Sequence, residues 1–266
     1  MADEPIIATP EGGLTTPELP PMGVQDKERD RQMGNVLTEA IQQGKDSVPA
    51  IVPPLVCKPQ EIESWRVFKI MSEFVDGFEI LKRYGLSATF FGSARETFAP
   101  EIYAAATELS GKLAKAGFAI LSGGSAGIMQ AANRGAFDAG GASVGLNIRL
   151  EDNQGMNKFL TDSMTFDHFF VRKVMLAFAS EVYVYFPGGY GTLDEFTEIL
   201  TLVQTKKIRK IPIVLYGREY WTPIVDLFCN TLYKKYHAID EADLDLFHVV
   251  DSVDEAFDYI QSNVTC

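Results

Sequence analysis

The sequence predicts a three-layer α/β/α fold on a mainly parallel sheet, and three observations predict it. From residue 61 onward, short strands alternate with helices of ten or more residues. The strands read as near-continuous apolar runs, as strands covered on both faces do. Three of them run straight into glycine clusters, Gly92, Gly123-Gly124 and Gly188-Gly189. The pattern is Rossmann-like, and such sheets bind ligands in the crevice at the carboxyl ends of their strands. All three clusters are therefore expected on one edge of the sheet.

Each element has its own signal. Trp65, Phe68, Ile70, Met71, Phe74, Val75, Phe78 and Leu81 recur near helical spacing, with Gly85 as a C′ residue. They predict an amphipathic helix of about six turns. Residues 88–91 form a strand ending at Gly92, and 101–116 a helix closed by Gly117. Residues 118–121 form a strand running into Ser122-Gly123-Gly124, followed by a helix over 126–139 and a strand over 143–148. An irregular stretch, 149–163, leads to a helix at 168–179. Residues 182–186 are a strand ending in Pro187-Gly188-Gly189. A helix over 192–205, a strand over 211–215, a helix over 220–236 and a closing helix over 252–263 complete the pattern.

Residues 1–60 differ in texture. They hold nine of the 13 prolines and lack sustained periodicity, so they are expected to form a disordered or loosely attached tail with a short helix near 26–43. The division is thus a tail, 1–60, and one nucleotide-binding catalytic domain, 61–266. Lys plus Arg is 24 and Asp plus Glu is 36, a formal net charge of −12. That balance argues against binding a nucleic-acid polymer, whose affinity comes from clustered cations. It leaves room for one small phosphorylated ligand held by local N–H groups. Three scattered cysteines and three scattered histidines form no metal-ligand spacing. With no leader or span of about 18 apolar residues, a cytoplasmic chain without metal, cofactor or membrane is expected.

The most informative segment is Pro187-Gly188-Gly189-Tyr190-Gly191-Thr192-Leu193-Asp194-Glu195, at a strand-to-helix junction. Free N–H groups and the positive end of the helix dipole favour an anion there, so a phosphate is placed against Gly188, Gly189, Gly191 and Thr192. The spacing is neither the dinucleotide G-x-G-x-x-G nor a Walker A loop. Thr192 to Glu195 also fits a capping box, in which the Glu195 side chain merely serves the helix start. Glu195 and Glu198 share a helix face and can reach one pocket, whereas Asp194 points about 100° away.

Two further loops repeat this logic. Ser122-Gly123-Gly124-Ser125-Ala126-Gly127-Ile128-Met129 supplies a second ring of N–H donors, or else a tight turn with close packing. Phe91-Gly92-Ser93-Ala94-Arg95 places a guanidinium where it meets either a phosphate or solvent. Arg172 and Lys173, in an otherwise apolar helix, read as a solvated stripe or as the counter-charge for a phosphate. His168 reads as a capping or packing residue, and Met129 and Met175 as core filler or, for Met129, a ligand contact.

Together these segments resemble the LOG ("lonely guy") phosphoribohydrolase family, some of whose members carry the label "lysine decarboxylase-like". Phe91 to Arg95, Ser122 to Met129, Phe170-Val171-Arg172-Lys173 and Pro187 to Glu195 carry the resemblance, the last matching P-G-G-x-G-T-x-x-E throughout. The run Phe196 to Lys207 and the helix around Trp65 to Leu81 are similar to the longer bacterial members. The resemblance implies hydrolysis of a nucleoside 5′-monophosphate, AMP or a cytokinin riboside monophosphate, to free base and ribose 5-phosphate. It implies Arg172 and Glu195 as catalytic residues. It implies substrate contacts from Gly92, Ser93, Arg95, Gly123, Gly124, Ser125, Met129, Lys173, Gly188, Gly189, Gly191, Thr192 and Glu198. It also implies a homodimer or larger homo-oligomer. After Ile148 the chain departs from the family: longer members carry Pro-x-Glu-Gln where this chain has Leu150-Glu151-Asp152-Asn153-Gln154, which bears on base preference. Two other readings stand beside this one: a non-catalytic nucleotide or molybdenum-cofactor carrier, and a regulatory module whose tail recruits a partner.

Overall fold

The computed structural model describes residues 64–95, 99–150 and 155–264, together with Asn35. The tail reading for 1–60, the helix near 26–43 and the 151–154 departure lie outside the described residues, save Asn35. The sheet and its covering helices belong to the second of the chain's two compact units, Glu61–Cys266.

The elements in chain order are α1 (Ser64–Leu81), β1 (Ser87–Phe91), α2 (Pro100–Lys115), β2 (Ala119–Ser122), α3 (Ile128–Asp138), β3 (Ser143–Ile148), β4 (Asp162–Phe166), α4 (Phe169–Phe178), β5 (Val182–Tyr185), α5 (Tyr190–Gln204), β6 (Ile213–Tyr216), α6 (Arg218–Asp226), β7 (His248–Val250) and α7 (Val253–Asn263). The seven strands form one sheet in the order β4-β3-β2-β1-β5-β6-β7, and every neighbouring pair is parallel.

The strands alternate between two cores. In β5, Val182 and Val184 face one cluster with Phe90, Leu109, Ile128 and Ile260, while Tyr183 and Tyr185 face another with Val171, Met175, Phe196 and Trp221. Helices α2, α3 and α7 cover the first face, and α1, α4, α5 and α6 the second. Aromatic rings fill the second core: Phe91 stacks on Tyr185 at 4.8 Å, and Phe196 meets Trp221 edge-on at 5.1 Å. Burial of this kind contributes roughly 1.5–3 kcal/mol per large apolar side chain.

The parallel sheet and its three-layer cover bear out the sequence reading. Two strands escaped it, β4 and β7, and they are the two edges. Interior strands are buried on both faces and so are mostly apolar, whereas β4 alternates half-buried and exposed residues before Phe166 and β7 is three residues long. The helix expected over 220–236 is α6, with Pro223 inside it, continued by a π-helical stretch, Leu227–Tyr233. Among the described residues, no helix is long and apolar enough to cross a membrane.

Candidate functional site

The sheet order places the crevice. From β1 the chain steps outward to β4, then α4 carries it back across the sheet to β5 on the other side of β1. The loop after β1 thus leads to one face and the loop after β5 to the other. The gap between them is the switch point at which such folds bind ligands. Gly92 and Gly188 end those two strands, and the Gly123 loop ends the next one, β2.

At the β5 end, α5 starts at Tyr190 with Gly189 as its N-cap, two residues earlier than expected, and no side chain caps it. The capping box between Thr192 and Glu195 is therefore not formed. Thr192 lies inside the first turn, and its Oγ1 packs onto Gly188, where an added Cβ would sit 2.1 Å away. The first-turn amides of Tyr190, Gly191 and Thr192 donate to no group among the described residues. The loop's carbonyls, by contrast, are occupied: Tyr220 donates its hydroxyl to the Gly188 carbonyl at 2.9 Å, and the Ser93 amide donates to the Pro187 carbonyl at 3.1 Å. A helix start with free N–H groups and committed carbonyls is an anion site in electrostatic terms. Added Cβ atoms at Gly189 and Gly191 would meet nothing within 4 Å, so both open onto free space.

These contacts set a pair of expectations. Gly188→Ala forces a Cβ into Thr192 and is expected to cost about 2 kcal/mol, lowering Tm by roughly 4–8 °C. Gly191→Ala meets no atom and favours the helix, so its Tm should stay level or rise slightly. Equal melting of the two variants in a thermal scan would contradict this packing.

Of its two readings, the β2 loop follows the tight turn with close packing. Its Gly124 amide donates to Ser122 Oγ at 2.9 Å and is not a free donor for a ligand. Gly124 serves the turn instead, at φ +69°. Ser122 Oγ in turn donates to Asn133 Oδ1 at 2.6 Å, and Asn133 Nδ2 donates to Ser143 Oγ at 2.9 Å. Asn157 completes the network: its amide donates to the Gly124 carbonyl at 2.9 Å and its Nδ2 to the Ser125 carbonyl at 3.0 Å. No spacing in the sequence marked Asn157, which lies in the stretch read as irregular. Gly123 is buried beneath Arg172 and Met129: a Cβ there would lie 2.4 Å from the Arg172 Nη2 and 2.6 Å from Met129 Sδ.

The β1 loop is a joint between the other two. The Ser93 carbonyl accepts the Ile128 amide at 2.9 Å, which takes up the first amide of α3, and its Oγ accepts the Arg95 amide at 3.2 Å. Gly92 lies under Ile128, where a Cβ would approach to 2.7 Å. Arg95 is exposed, and its guanidinium has no partner among the described residues.

Arg172 and Glu195 are brought together from α4 and α5. Arg172 is buried, its Nε donates to the Leu146 carbonyl at 2.8 Å, and its guanidinium lies 5.5 Å from the Phe169 ring. Burial holds its pKa below the ordinary value, and the nearby Glu195 charge works against that shift. Burial pushes the Glu195 carboxyl up to about 7, opposed by the Arg172 charge, with Asp194 and Glu198 raising it and Lys173 lowering it further. The Glu195 side chain makes no hydrogen bond or ion pair among the described residues. Its backbone is fixed by Tyr185, whose hydroxyl donates to the Glu195 carbonyl at 3.2 Å.

The neighbouring charges pair across the two helices. Lys173 Nζ lies 2.8 Å from Asp194 and 3.4 Å from Glu198. It therefore ties α4 to α5. Asp194 and Glu198, four apart, share that lysine, and the Glu198 charge also acts on Glu195.

A model of the protein family described as "Possible lysine decarboxylase" matches residues 129–260, from the start of α3 into α7. The chain is 29% identical over 126 residues to a protein of Archaeoglobus fulgidus described as uncharacterized, an alignment covering 46% of this chain and 81% of that one. It is 27% identical over 108 residues to the cytokinin riboside 5′-monophosphate phosphoribohydrolase of Rhodococcoides fascians, covering 40% of this chain and only 54% of the relative. Among solved structures it is similar to the molybdenum cofactor carrier protein of Chlamydomonas reinhardtii, with a TM-score of 0.50 and 24% identity over 67% of this chain and 97% of that one. The molybdenum cofactor binding protein of Rippkaea orientalis is also similar, with a TM-score of 0.50 and 20% identity over 66% and 94%. Those two likenesses show the fold alone. With the Arg172-Lys173 pair and the Pro187–Glu195 signature inside the matched span, the chain is similar over residues 129–260 to the family described as possible lysine decarboxylase, the LOG family.

Proposed function

We propose that the protein hydrolyses the N-glycosidic bond of a nucleoside 5′-monophosphate, AMP or a cytokinin riboside monophosphate. Water adds across the bond between the base and C1′, giving free base and ribose 5-phosphate. The observation that carries this reading is Glu195: a carboxyl of near-neutral pKa, without a hydrogen bond or ion pair among the described residues, one turn beyond helix-start amides that donate to none of them. Three residues of helix rise about 4.5 Å, a gap that a ribose ring bridges between its phosphate and its anomeric carbon.

In this reading the amides of Tyr190, Gly191 and Thr192 bind the 5′-phosphate, and Gly189 and Gly191 leave it room. Breaking the glycosidic bond builds positive charge on the sugar. The ionised Glu195 stabilises that charge and takes a proton from the attacking water. Arg172, over Gly123, assists the departing base or holds an anionic edge of the substrate. Lys173, committed to Asp194 and Glu198, shapes the site by fixing α5 rather than by touching substrate. A homodimer or larger assembly is part of the reading. Trp65, Phe68, Met71 and Val75 on α1 are each at least 50% exposed, an apolar face of the sort that a second copy covers.

The test is incubation of purified protein with AMP, GMP, CMP and UMP, followed by chromatography for free base and ribose 5-phosphate. Release of both from at least one nucleotide supports the reading. Binding of nucleotides with no release from any of them would favour a carrier.

A further inference from the structure

We propose that Glu73, on α1, is a positioning residue for this reaction, fixing the first turn of α4 and through it the Arg172 guanidinium; the inference rests on the hydrolytic reading above. Glu73 is a carboxylate in the middle of a helix, yet only 8% exposed. A buried carboxylate is costly unless its oxygens accept hydrogen bonds. Here all of them come from the β4–α4 junction. Oε1 accepts the Asp167 amide at 3.2 Å and lies 3.0 Å from His168 Nδ1, while Oε2 accepts the His168 amide at 3.1 Å.

His168 is the N-cap of α4, and its own side chain makes no capping bond. Glu73 thus supplies from another helix what the local sequence lacks: acceptors and a negative charge at the positive end of α4. The Arg172 amide donates to the His168 carbonyl at 3.3 Å, so the residue held by Glu73 begins the turn that carries Arg172. The grip is continuous along α1. Lys69, Glu73 and Gly77, spaced four apart, lie on one stripe. Lys69 pairs with Asp167, which also pairs with Arg149 at 2.8 Å. At Gly77 an added Cβ would lie 2.6 Å from Met175 Sδ, so the two helices are in close contact one turn beyond Arg172. The Arg172 side chain has a single hydrogen bond to the protein among the described residues, to the Leu146 carbonyl. Where its guanidinium lies is therefore set largely by where α4 lies.

Glu73→Gln keeps the side chain's shape but removes its charge and one acceptor oxygen. In the full chain, with AMP or whichever monophosphate turns over, kcat per folded molecule is expected to fall about 10- to 100-fold, with KM within about twofold. The acidic limb of the kcat/KM profile is expected to move to higher pH, because a displaced Arg172 no longer opposes the Glu195 pKa. A purely structural role would lower Tm without moving that limb. His168→Asn, which keeps both backbone bonds and removes the ring contact, is expected to shift the limb in the same direction by less, and serves if Glu73→Gln does not fold. Folded variants with wild-type kcat and an unmoved limb, beside an active wild type, overturn the positioning role alone. A wild type that turns over no nucleotide counts instead against the hydrolytic reading, and the inference falls with it.

Discussion

Glu195→Gln is expected to lower kcat by roughly 10³-fold while leaving nucleotide affinity within about twofold, because in the proposed reaction it removes the charge assigned to the anomeric carbon but none of the amides assigned to the phosphate. Calorimetric titration of the variant with AMP, beside turnover by chromatography, checks both halves. Loss of binding together with turnover would mean that the carboxylate organises the pocket instead of acting at C1′. The wild type should show an acidic limb in kcat/KM near pH 7, since the proposed reaction uses the carboxylate and burial pushes its pKa up to about 7. In Glu195→Gln the residual rate should lack that limb.

The same substitution has a stability signature of known sign. The folded-state pKa of Glu195 lies above the ordinary carboxyl value, so the folded protein favours the protonated form. Below about pH 4 both folded and unfolded chains are protonated and the group is neutral in its effect. As pH rises from there through 7, the folded state loses stability, by at most about 3 kcal/mol, as it must hold an ionised group that burial disfavours. Glu195→Gln removes this penalty. It should therefore melt above the wild type at pH 8 and level with it at pH 4. A variant less stable than wild type at pH 8 would show that the carboxylate has a stabilising partner.

Arg172→Met is the second change of large effect. Methionine fills the buried volume without a charge, so the loss isolates what the guanidinium does. We expect kcat/KM to fall by roughly 10²- to 10³-fold, the loss common for a cation or donor aimed at developing charge in a dry site. The Arg172 charge opposes the Glu195 shift, so its removal should move the acidic limb upward from about 7. The double variant with Glu195→Gln should be little slower than the worse single, as residues acting as a unit are not additive. An Arg172→Met enzyme within about threefold of wild type would place the chemistry elsewhere.

The interior of the sheet was legible because burial on both faces leaves mostly apolar residues along strands such as 119–122 and 182–185. The edges were not, since an edge strand such as Asp162–Phe166 keeps one side in water and loses the apolar signature. Within the site, the glycine loops could be read from chain chemistry, as a turn that lets a backbone approach a ligand closely needs glycine. The use of each amide could not. Gly124 spends its N–H on Ser122, whereas Tyr190, Gly191 and Thr192 keep theirs free, and the two loops look alike in sequence. Glu195 shows the same limit: T-x-x-E describes a capping box equally well, and only the start of α5 at Tyr190 removes that role.

Periodicity and backbone freedom are local properties, and they were enough to establish the parallel α/β architecture, the glycine loops on one edge and the residues of the LOG signature. It took the folded chain to reveal that the Glu195 side chain makes no hydrogen bond or ion pair among the described residues, that Lys173 is taken by Asp194 and Glu198, and that Glu73 caps a helix 95 residues further along the chain. Such assignments depend on which groups arrive beside one another once the chain has crossed the sheet. Charge and hydrogen bonding act over a few ångströms in space, whatever the separation along the chain.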